Sequence, residues 1–357
     1  MLDDNYFMRE AITEGEKGQS TAPPNPWVGA ILVKDGRIVG RGFHNRPGEP
    51  HAEIMAIRSS SPDDVAGSTI YCTLEPCSHH GRTGPCCEAL VAAGIVRCVI
   101  GVTDPDPRVS GKGAEYLAAN GVRVDYASQD LVGGSLRPYL HHRRTGIPYV
   151  VIKTAVSIDG KIACSDRSSQ WITGPEARAE GHEIRRNSCA ILVGSGTVID
   201  DNPRLTVRGK GGNCRQPIRV VIDRQSKLRH NPTLNIFSRD ADTIVYTGLD
   251  AKPDYYPPHV QVFRDKDWTI SRVLGSLGVL GVLQLMVEGG SSIHSSIIAE
   301  KLFDELVVFV GSTVLGSSSL PFLTRPICET ITDAEFLELR DVKKLGNDVK
   351  LTYGRNN

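Results

Sequence analysis

Apolar positions recur at helical spacing over residues 3–18, ending near Gly18, and predict an opening helix. Two largely apolar runs, 28–34 and 37–43, then flank Asp35-Gly36, the dipeptide of a tight hairpin turn. The pattern next alternates: helix over 52–58, strand over 69–73, helix over 86–93, strand over 97–102, helix over 113–120 and strand over 122–125. An antiparallel pair followed by alternating helix and strand predicts one α/β sheet of about five strands.

Residues 127–146 are polar and helix-compatible, ending in His141-His142-Arg143-Arg144-Thr145-Gly146, which reads as a solvated helix end. A fresh apolar run starts at Pro148-Tyr149-Val150-Val151-Ile152, and the boundary between two domains, 1–146 and 147–357, is placed between them. The rhythm then restarts with a helix over 175–187, strands over 190–193, 218–222 and 243–246, a helix over 268–277, a strand over 283–287, a helix over 291–299 and a strand over 305–310. Segments 208–216 and 248–258, rich in Gly, Lys and Pro, read as surface loops, and the halves share no internal repeat. A length of 357 residues suffices for two domains with separate cores.

Charge narrows the function classes. Lys+Arg and Asp+Glu both number 41, so the chain has no overall attraction to phosphate backbones, and no nucleic-acid partner is expected. No stretch reaches about 18 uninterrupted apolar residues, so no membrane partner is expected either. The start, Met-Leu-Asp-Asp-Asn-Tyr-Phe-Met, lacks a basic segment followed by an apolar one; the chain reads as cytoplasmic, with an organellar leader removed ahead of it left open. Nine cysteines, an odd count in a chain too long to need disulfide staples, read as reduced thiols, some of them on a metal.

His51-Ala52-Glu53 opens the helix expected over 52–58, while Pro76-Cys77 and Pro85-Cys86 follow a strand and open the next helix. Zinc accepts imidazole and thiolate, and a site with three protein ligands keeps its fourth position for a water whose pKa falls to about 7. Loss of an amino group from a cytosine-like ring needs that nucleophile and a group that takes its proton and returns it to the leaving ammonia. His51, Cys77 and Cys86 are therefore the metal candidates and Glu53 the catalytic proton carrier. His-x-Glu with Pro-Cys is the known zinc-deaminase signature, although there two residues separate the cysteines and here Ser78 to Pro85 intervene. Two other readings stand beside it: a structural zinc drawing a fourth ligand from Cys72, Cys87, His79 or His80, and a metal-free site with His51 as a helix cap.

The runs Asn25-Pro26-Trp27-Val28-Gly29, Gly48-Glu49-Pro50-His51-Ala52-Glu53 and Thr73-Leu74-Glu75-Pro76-Cys77, with the stretch from Ser78 to Cys86, resemble one family. It is that of the bifunctional riboflavin biosynthesis deaminase-reductases, in which the longer gap between the cysteines is usual. The likeness continues through Asp104-Pro105-Asp106-Pro107, Lys153, Ser157-Ile158-Asp159-Gly160-Lys161, Ser169-Gln170-Trp171-Ile172-Thr173, Ile191-Leu192-Val193-Gly194, Asp201-Asn202-Pro203-Arg204-Leu205-Thr206 and Val287-Glu288-Gly289-Gly290, nearly end to end. The resemblance implies a cytidine-deaminase-like three-layer α/β/α domain followed by a dihydrofolate-reductase-like α/β domain. It implies zinc and NADPH as cofactors, a pyrimidine ribosyl phosphate as small-molecule substrate, and a homo-oligomer. The implied reactions are deamination of 2,5-diamino-6-ribosylamino-4(3H)-pyrimidinone 5′-phosphate and then reduction of its ribosyl group to ribityl. Implied deaminase contacts are Asn25, His44, His79, Arg82, Asp104 and Asp106, with Arg82 suited to phosphate by its permanent forked charge. Asp106 stands where relatives commonly carry Asn, which turns a donor into an acceptor.

The second half lacks a Gly-x-Gly-x-x-Gly run after a first strand, so residue patterning alone does not support a Rossmann cofactor site. Val287-Glu288-Gly289-Gly290-Ser291-Ser292 and Gly194-Ser195-Gly196-Thr197 each place glycine between a strand end and a helix, two places for backbone to approach a diphosphate. With the resemblance, Ala155, Trp171, Thr197, Asp201 and Gly290, Ser291, Ser292, Ile293, His294, Ser295 and Ser296 would contact NADPH. Ser169, Arg185, Leu205, Arg208 and Glu288 would contact substrate. Lys153, on the first strand of this half, reads either as a proton donor to the reacting sugar oxygen or as a solvated strand-end anchor.

Overall fold

The computed structural model describes residues 3–79, 84–106, 110–208, 215–229 and 231–355. The chain divides into two compact units, Met1–Gly146 and Ile147–Asn357.

The first unit runs α1 (Asp4–Glu16), β1 (Gly29–Lys34), β2 (Arg37–Phe43), α2 (Ala52–Arg58), α3 (Pro62–Val65), β3 (Thr69–Leu74), α4 (Cys86–Ala92), β4 (Arg97–Val102), α5 (Lys112–Ala119), β5 (Arg123–Tyr126), α6 (Gln129–Gly133) and α7 (Arg137–Thr145). Its sheet has the expected five strands in the order β2-β1-β3-β4-β5. β1 is antiparallel to β2 and β3, while β3, β4 and β5 are parallel. The Asp35-Gly36 turn has φ of +50° and +73° at its two residues, the doubly left-handed geometry whose twist suits a two-residue hairpin. Ile31, Leu32, Ile70 and Ile100 are fully buried, so strands covered on both faces read as unbroken apolar runs.

The second unit runs β6 (Tyr149–Ser157), β7 (Lys161–Ala163), α8 (Pro175–Asn187), β8 (Ala190–Gly194), α9 (Ser195–Asp201), β9 (Ile218–Asp223), β10 (Thr243–Thr247), β11 (Gln261–Arg264), α10 (Ile270–Val279), β12 (Gln284–Gly289), α11 (Ser291–Ala299), β13 (Glu305–Gly311), β14 (Leu320–Pro321), β15 (Leu337–Leu345) and β16 (Asp348–Arg355). Its main sheet has nine strands in the order β11-β10-β9-β8-β12-β6-β13-β16-β15. All neighbours from β11 to β13 are parallel, and the hairpin β15–β16 closes one edge antiparallel.

Three features of this unit escape hydrophobic periodicity. β11 is four residues with half-exposed side chains. β7 and β14 form a two-stranded ribbon too short to carry a pattern. The hairpin β15–β16 is rich in charge because β15 is an edge strand exposed along almost its whole length. It is held by backbone pairing and by Glu180 of α8, which bonds Lys350 at 3.2 Å and also reaches Lys343.

Candidate functional site

In the first unit three chain segments meet beyond the C-terminal end of β3. His51 is the N-cap of α2, Cys86 is the first residue of α4, and Cys77 lies in the turn leaving β3. His51 Nδ1 is 3.2 Å from Cys86 Sγ and 3.5 Å from Cys77 Sγ, and the three ligand atoms lie within 4.8 Å of one another. Zinc bonded at about 2.3 Å to sulfur and about 2.0 Å to nitrogen spaces tetrahedral ligand atoms by roughly 3.5 Å, so this donor set fits it. Among the described residues no fourth His, Cys or carboxylate joins the group, which leaves a coordination position for chemistry. Cys72, Cys87 and His79 stand outside it, and His80 lies outside the described residues.

Glu53, in the first turn of α2, is buried and within hydrogen-bonding reach of Cys86. Burial, with the neighbouring Cys77, pushes its carboxyl up to about 7, the range in which a group both accepts and returns a proton near neutrality. Hydrogen bonding from Cys86 and His51 outweighs burial at Cys77 and holds its thiol well below the usual range, in the form a metal binds.

The pocket residues expected from resemblance group around this centre in part. His44 packs edge-on against His51 with ring centroids 5.3 Å apart. Its Nδ1 lies 3.2 Å from the Pro50 carbonyl, which can only accept, so Nε2 is the unprotonated nitrogen and receives Asn25 Nδ2 at 3.0 Å. Burial holds the His44 imidazole neutral by lowering its pKa. Asp104, at the end of β4, accepts from the Asp106 amide at 2.9 Å and from the Tyr139 hydroxyl at 3.0 Å. His79 is exposed, and Arg82 lies outside the described residues.

In the second unit the two glycine turns sit at the ends of the adjacent parallel strands β8 and β12. Gly290, the N-cap of α11, has φ +82° and no side chain to satisfy the first-turn amides. A Cβ there would lie 3.0 Å from Thr197 Oγ1 of α9, so only glycine brings the two turns this close. Convergent bare helix N-termini at strand ends suit a dinucleotide diphosphate, and the site fits NADPH. Of the run on α11, Ser292, Ile293 and Ser296 are partly or fully open, whereas Ser291, His294 and Ser295 are buried. Ser291 donates to the Pro321 carbonyl at 2.5 Å, and Ser295 to the Ser291 carbonyl at 2.7 Å. Trp171 is exposed and lies under the Arg178 guanidinium at 4.4 Å from its ring centre. Thr197, Ala155 and Ser169 are half-buried, and Asp201 and Arg208 are exposed.

Glu288, near the end of β12, binds two cations: Arg185 Nη2 at 2.6 Å and Lys153 Nζ at 3.4 Å. Burial pushes its carboxyl up, but the charges of Arg185 and Lys153 outweigh that and hold it at about 2. Arg185 also donates to the carbonyl of Thr206, next to buried Leu205. Lys153 is thus no solvated anchor; its side chain is four-fifths buried and its ammonium lies over the Phe309 ring.

Two family models divide the chain. The cytidine and deoxycytidylate deaminase zinc-binding region matches residues 1–102, and the RibD C-terminal domain matches 148–351. Riboflavin biosynthesis protein RibD of Chlamydia pneumoniae is 38% identical, covering 98% of this chain and 94% of that one; the Escherichia coli K12 protein of the same name is 37% identical, covering 98% and 99%. The chain belongs to the RibD family. Solved RibD-family structures agree: Acinetobacter baumannii RibD superposes with a TM-score of 0.91 at 33% identity, covering 99% of both chains. A Thermotoga maritima diaminohydroxyphosphoribosylaminopyrimidine deaminase/5-amino-6-(5-phosphoribosylamino)uracil reductase gives 0.90 at 34%, covering 99% and 98%.

Against this RibD framework, sequence reasoning gave no role to Tyr139, His182 or Glu75, the last named only within the run Thr73 to Cys77. Tyr139 belongs to α7, within a stretch read only as polar and helix-compatible. His182 stands three residues before Arg185 on α8, a spacing that places both on one helix face. Burial, with Arg185, Arg208 and Lys153, pushes its imidazole down to about 4, which marks it as a neighbour of the Glu288 cluster.

Proposed function

We propose that this chain carries out two consecutive steps on one pyrimidine ribosyl phosphate. As a member of the RibD family it is a bifunctional deaminase and reductase of riboflavin biosynthesis, using zinc and NADPH. The substrate of the first step is 2,5-diamino-6-ribosylamino-4(3H)-pyrimidinone 5′-phosphate, and its 2-amino group leaves as ammonia. The observation that carries this reading is the three-ligand group with a buried carboxyl beside it.

His51, Cys77 and Cys86 would hold the metal, which would supply a water acidified to a pKa of about 7. Glu53 carries the proton between that nucleophile and the leaving nitrogen, and its pKa near 7 suits both directions of transfer. Asn25 and the neutral His44, locked in one tautomer, orient the base, while Asp104 and Asp106 present acceptors; His79 and Arg82 serve the phosphate end.

In the reductase half, bound NADPH would supply the hydride for the sugar carbon. Gly290 with Ser292, Ile293 and Ser296, Thr197, Asp201, Ala155 and Trp171 bind and orient it, supported by Ser291, His294 and Ser295 beneath. Arg185, Glu288, Leu205, Arg208 and Ser169 hold the substrate, with Lys153 beside the reacting oxygen. Positioning at about 3–3.5 Å supplies most of the rate.

Supplying the diaminopyrimidine ribosyl phosphate tests the order directly. Ammonia appears without NADPH, NADPH is consumed only on the deaminated product, and a zinc chelator stops the first step while sparing the second. Ammonia release that resists full zinc removal would overturn the metal assignment.

The remaining reading is assembly. Zero formal charge supports a partner list without nucleic acid, and among the described residues no helix is long and apolar enough to cross a membrane. The exposed edge strand β15, with Leu339, Val342 and nearby Phe336 open to solvent, supports a homo-oligomer formed through the reductase unit. Light scattering is expected to give at least twice the 38.8 kDa chain mass, and a monomer at micromolar concentration would remove that part.

A further inference from the structure

Glu75 stands between β3 and the metal-ligand turn, two residues before Cys77, and is buried at 4% exposure. Its carboxylate faces backbone amides. Oε2 accepts from Gly111 at 3.0 Å, and Oε1 accepts from Gly113 at 3.0 Å and Ala114 at 3.3 Å. These amides belong to the N-terminus of α5, where a helix leaves its first donors without internal partners. The N-cap of α5 is Gly111, at φ +80°, which has no side chain to meet them. A carboxylate is the best-suited group for that place, by hydrogen bonding and by the helix dipole. Glu75 thus caps from a distance a helix that cannot cap itself.

A second contact joins the same two segments. A Cβ on Gly113 would lie 2.0 Å from the Pro76 carbonyl oxygen, so the first turn of α5 rests directly on the peptide that leads into Cys77. Upstream of α5, the Ser110 amide donates to the Asp106 carbonyl at 2.9 Å, and the Asp106 amide to the Asp104 carboxylate. The metal-ligand turn, the helix end and the segment bearing Asp104 and Asp106 therefore form one hydrogen-bonded body with Glu75 at its centre.

We propose that Glu75 is a positioning residue of the deaminase: it clamps the Pro76–Cys77 turn onto the N-terminus of α5 and so sets the Cys77 thiolate at zinc-binding distance from His51 and Cys86. The clamp acts through backbone and touches neither metal nor substrate. It rests on the assignment of zinc to those three ligands.

The test uses the full chain, with zinc affinity read by competition against a chromophoric chelator and ligand geometry by the thiolate-to-metal absorption of the Co²⁺-loaded protein. E75Q places an amide NH₂ against backbone donors, and G113A keeps the Glu75 carboxylate but pushes on the Pro76 carbonyl and brings its Cβ to 3.3 Å from Glu75 Oε1. Each is expected to weaken zinc binding by about 10- to 100-fold, the usual cost of losing support behind a ligand, and to shift the Co²⁺ band. L117A empties a fully buried position on the same helix and is expected to lower thermal stability without moving either readout. The clamp is overturned if E75Q, or G113A should E75Q fail to fold, binds zinc within about threefold of the parent with an unchanged Co²⁺ spectrum. It is equally overturned if L117A weakens binding as much as they do. C77A separates the two claims: zinc retained at parental affinity in C77A means that the metal assignment has failed, not the clamp.

Discussion

Glu53→Gln is expected to lower the rate of ammonia release about 10³-fold while the protein keeps its zinc and its reductase rate on deaminated pyrimidine. The amide has nearly the shape of the carboxyl but neither accepts nor returns a proton. Glu53 is buried beside the ligand group, so no bulk water replaces it as a proton carrier. Zinc content by metal analysis and single-turnover ammonia release decide the matter. Loss of zinc in E53Q would reassign Glu53 to supporting the ligands, and a rate within about tenfold of the parent would remove it from proton transfer.

The second large effect lies in the reductase unit. Glu288→Gln removes the negative charge that Arg185 and Lys153 share, leaving two cations close together in a largely buried place. The drop of the Glu288 carboxyl from 4.5 to about 2 corresponds to about 3 kcal/mol of stability near neutral pH. For a domain of this size that is a fall in melting temperature of about 10 °C. Because the folded-state pKa lies below the unfolded one, the unfolded chain binds more protons and the contribution rises with pH. It is complete above 4.5 and vanishes as pH falls through about 2. The melting difference between the parent and E288Q, followed by calorimetry, is therefore expected to be largest near neutrality and to shrink across that window. A difference independent of pH would show that the charge of Glu288 is not what holds the cluster. Reductase KM for the pyrimidine is expected to rise in the same variant, since Arg185 loses the partner that aims it.

Legibility differed between the halves for a physical reason. In the first unit, His51, Glu53, Cys77 and Cys86 lie in short runs at predicted helix starts, and the chemistry of zinc demands those residue types. The five strands were visible because most are buried on both faces and read as apolar runs. In the second unit, the proposed cofactor and substrate contacts are backbone turns and residues scattered from Lys153 to Glu288, so resemblance carried more of the reading than patterning did. β11, β15 and β16 went unseen because edge and near-edge strands carry exposed or partly exposed polar residues and lack the apolar signal.

The sequence by itself determined the two-domain α/β architecture and picked out His51, Cys77 and Cys86 as the residues that the fold gathers into one candidate metal group, with Glu53 beside it, because periodicity and ligand chemistry are local properties of the chain. The tertiary structure alone decided which groups act together across distance. It set Glu288 between Arg185 and Lys153, turned Lys153 from a solvated anchor into a buried ion-pair partner, and placed Thr197 against Gly290. It also brought Glu75 to cap a helix 36 residues downstream. These relations arise from the order in which strands pair in a sheet, and that order is a property of the whole fold.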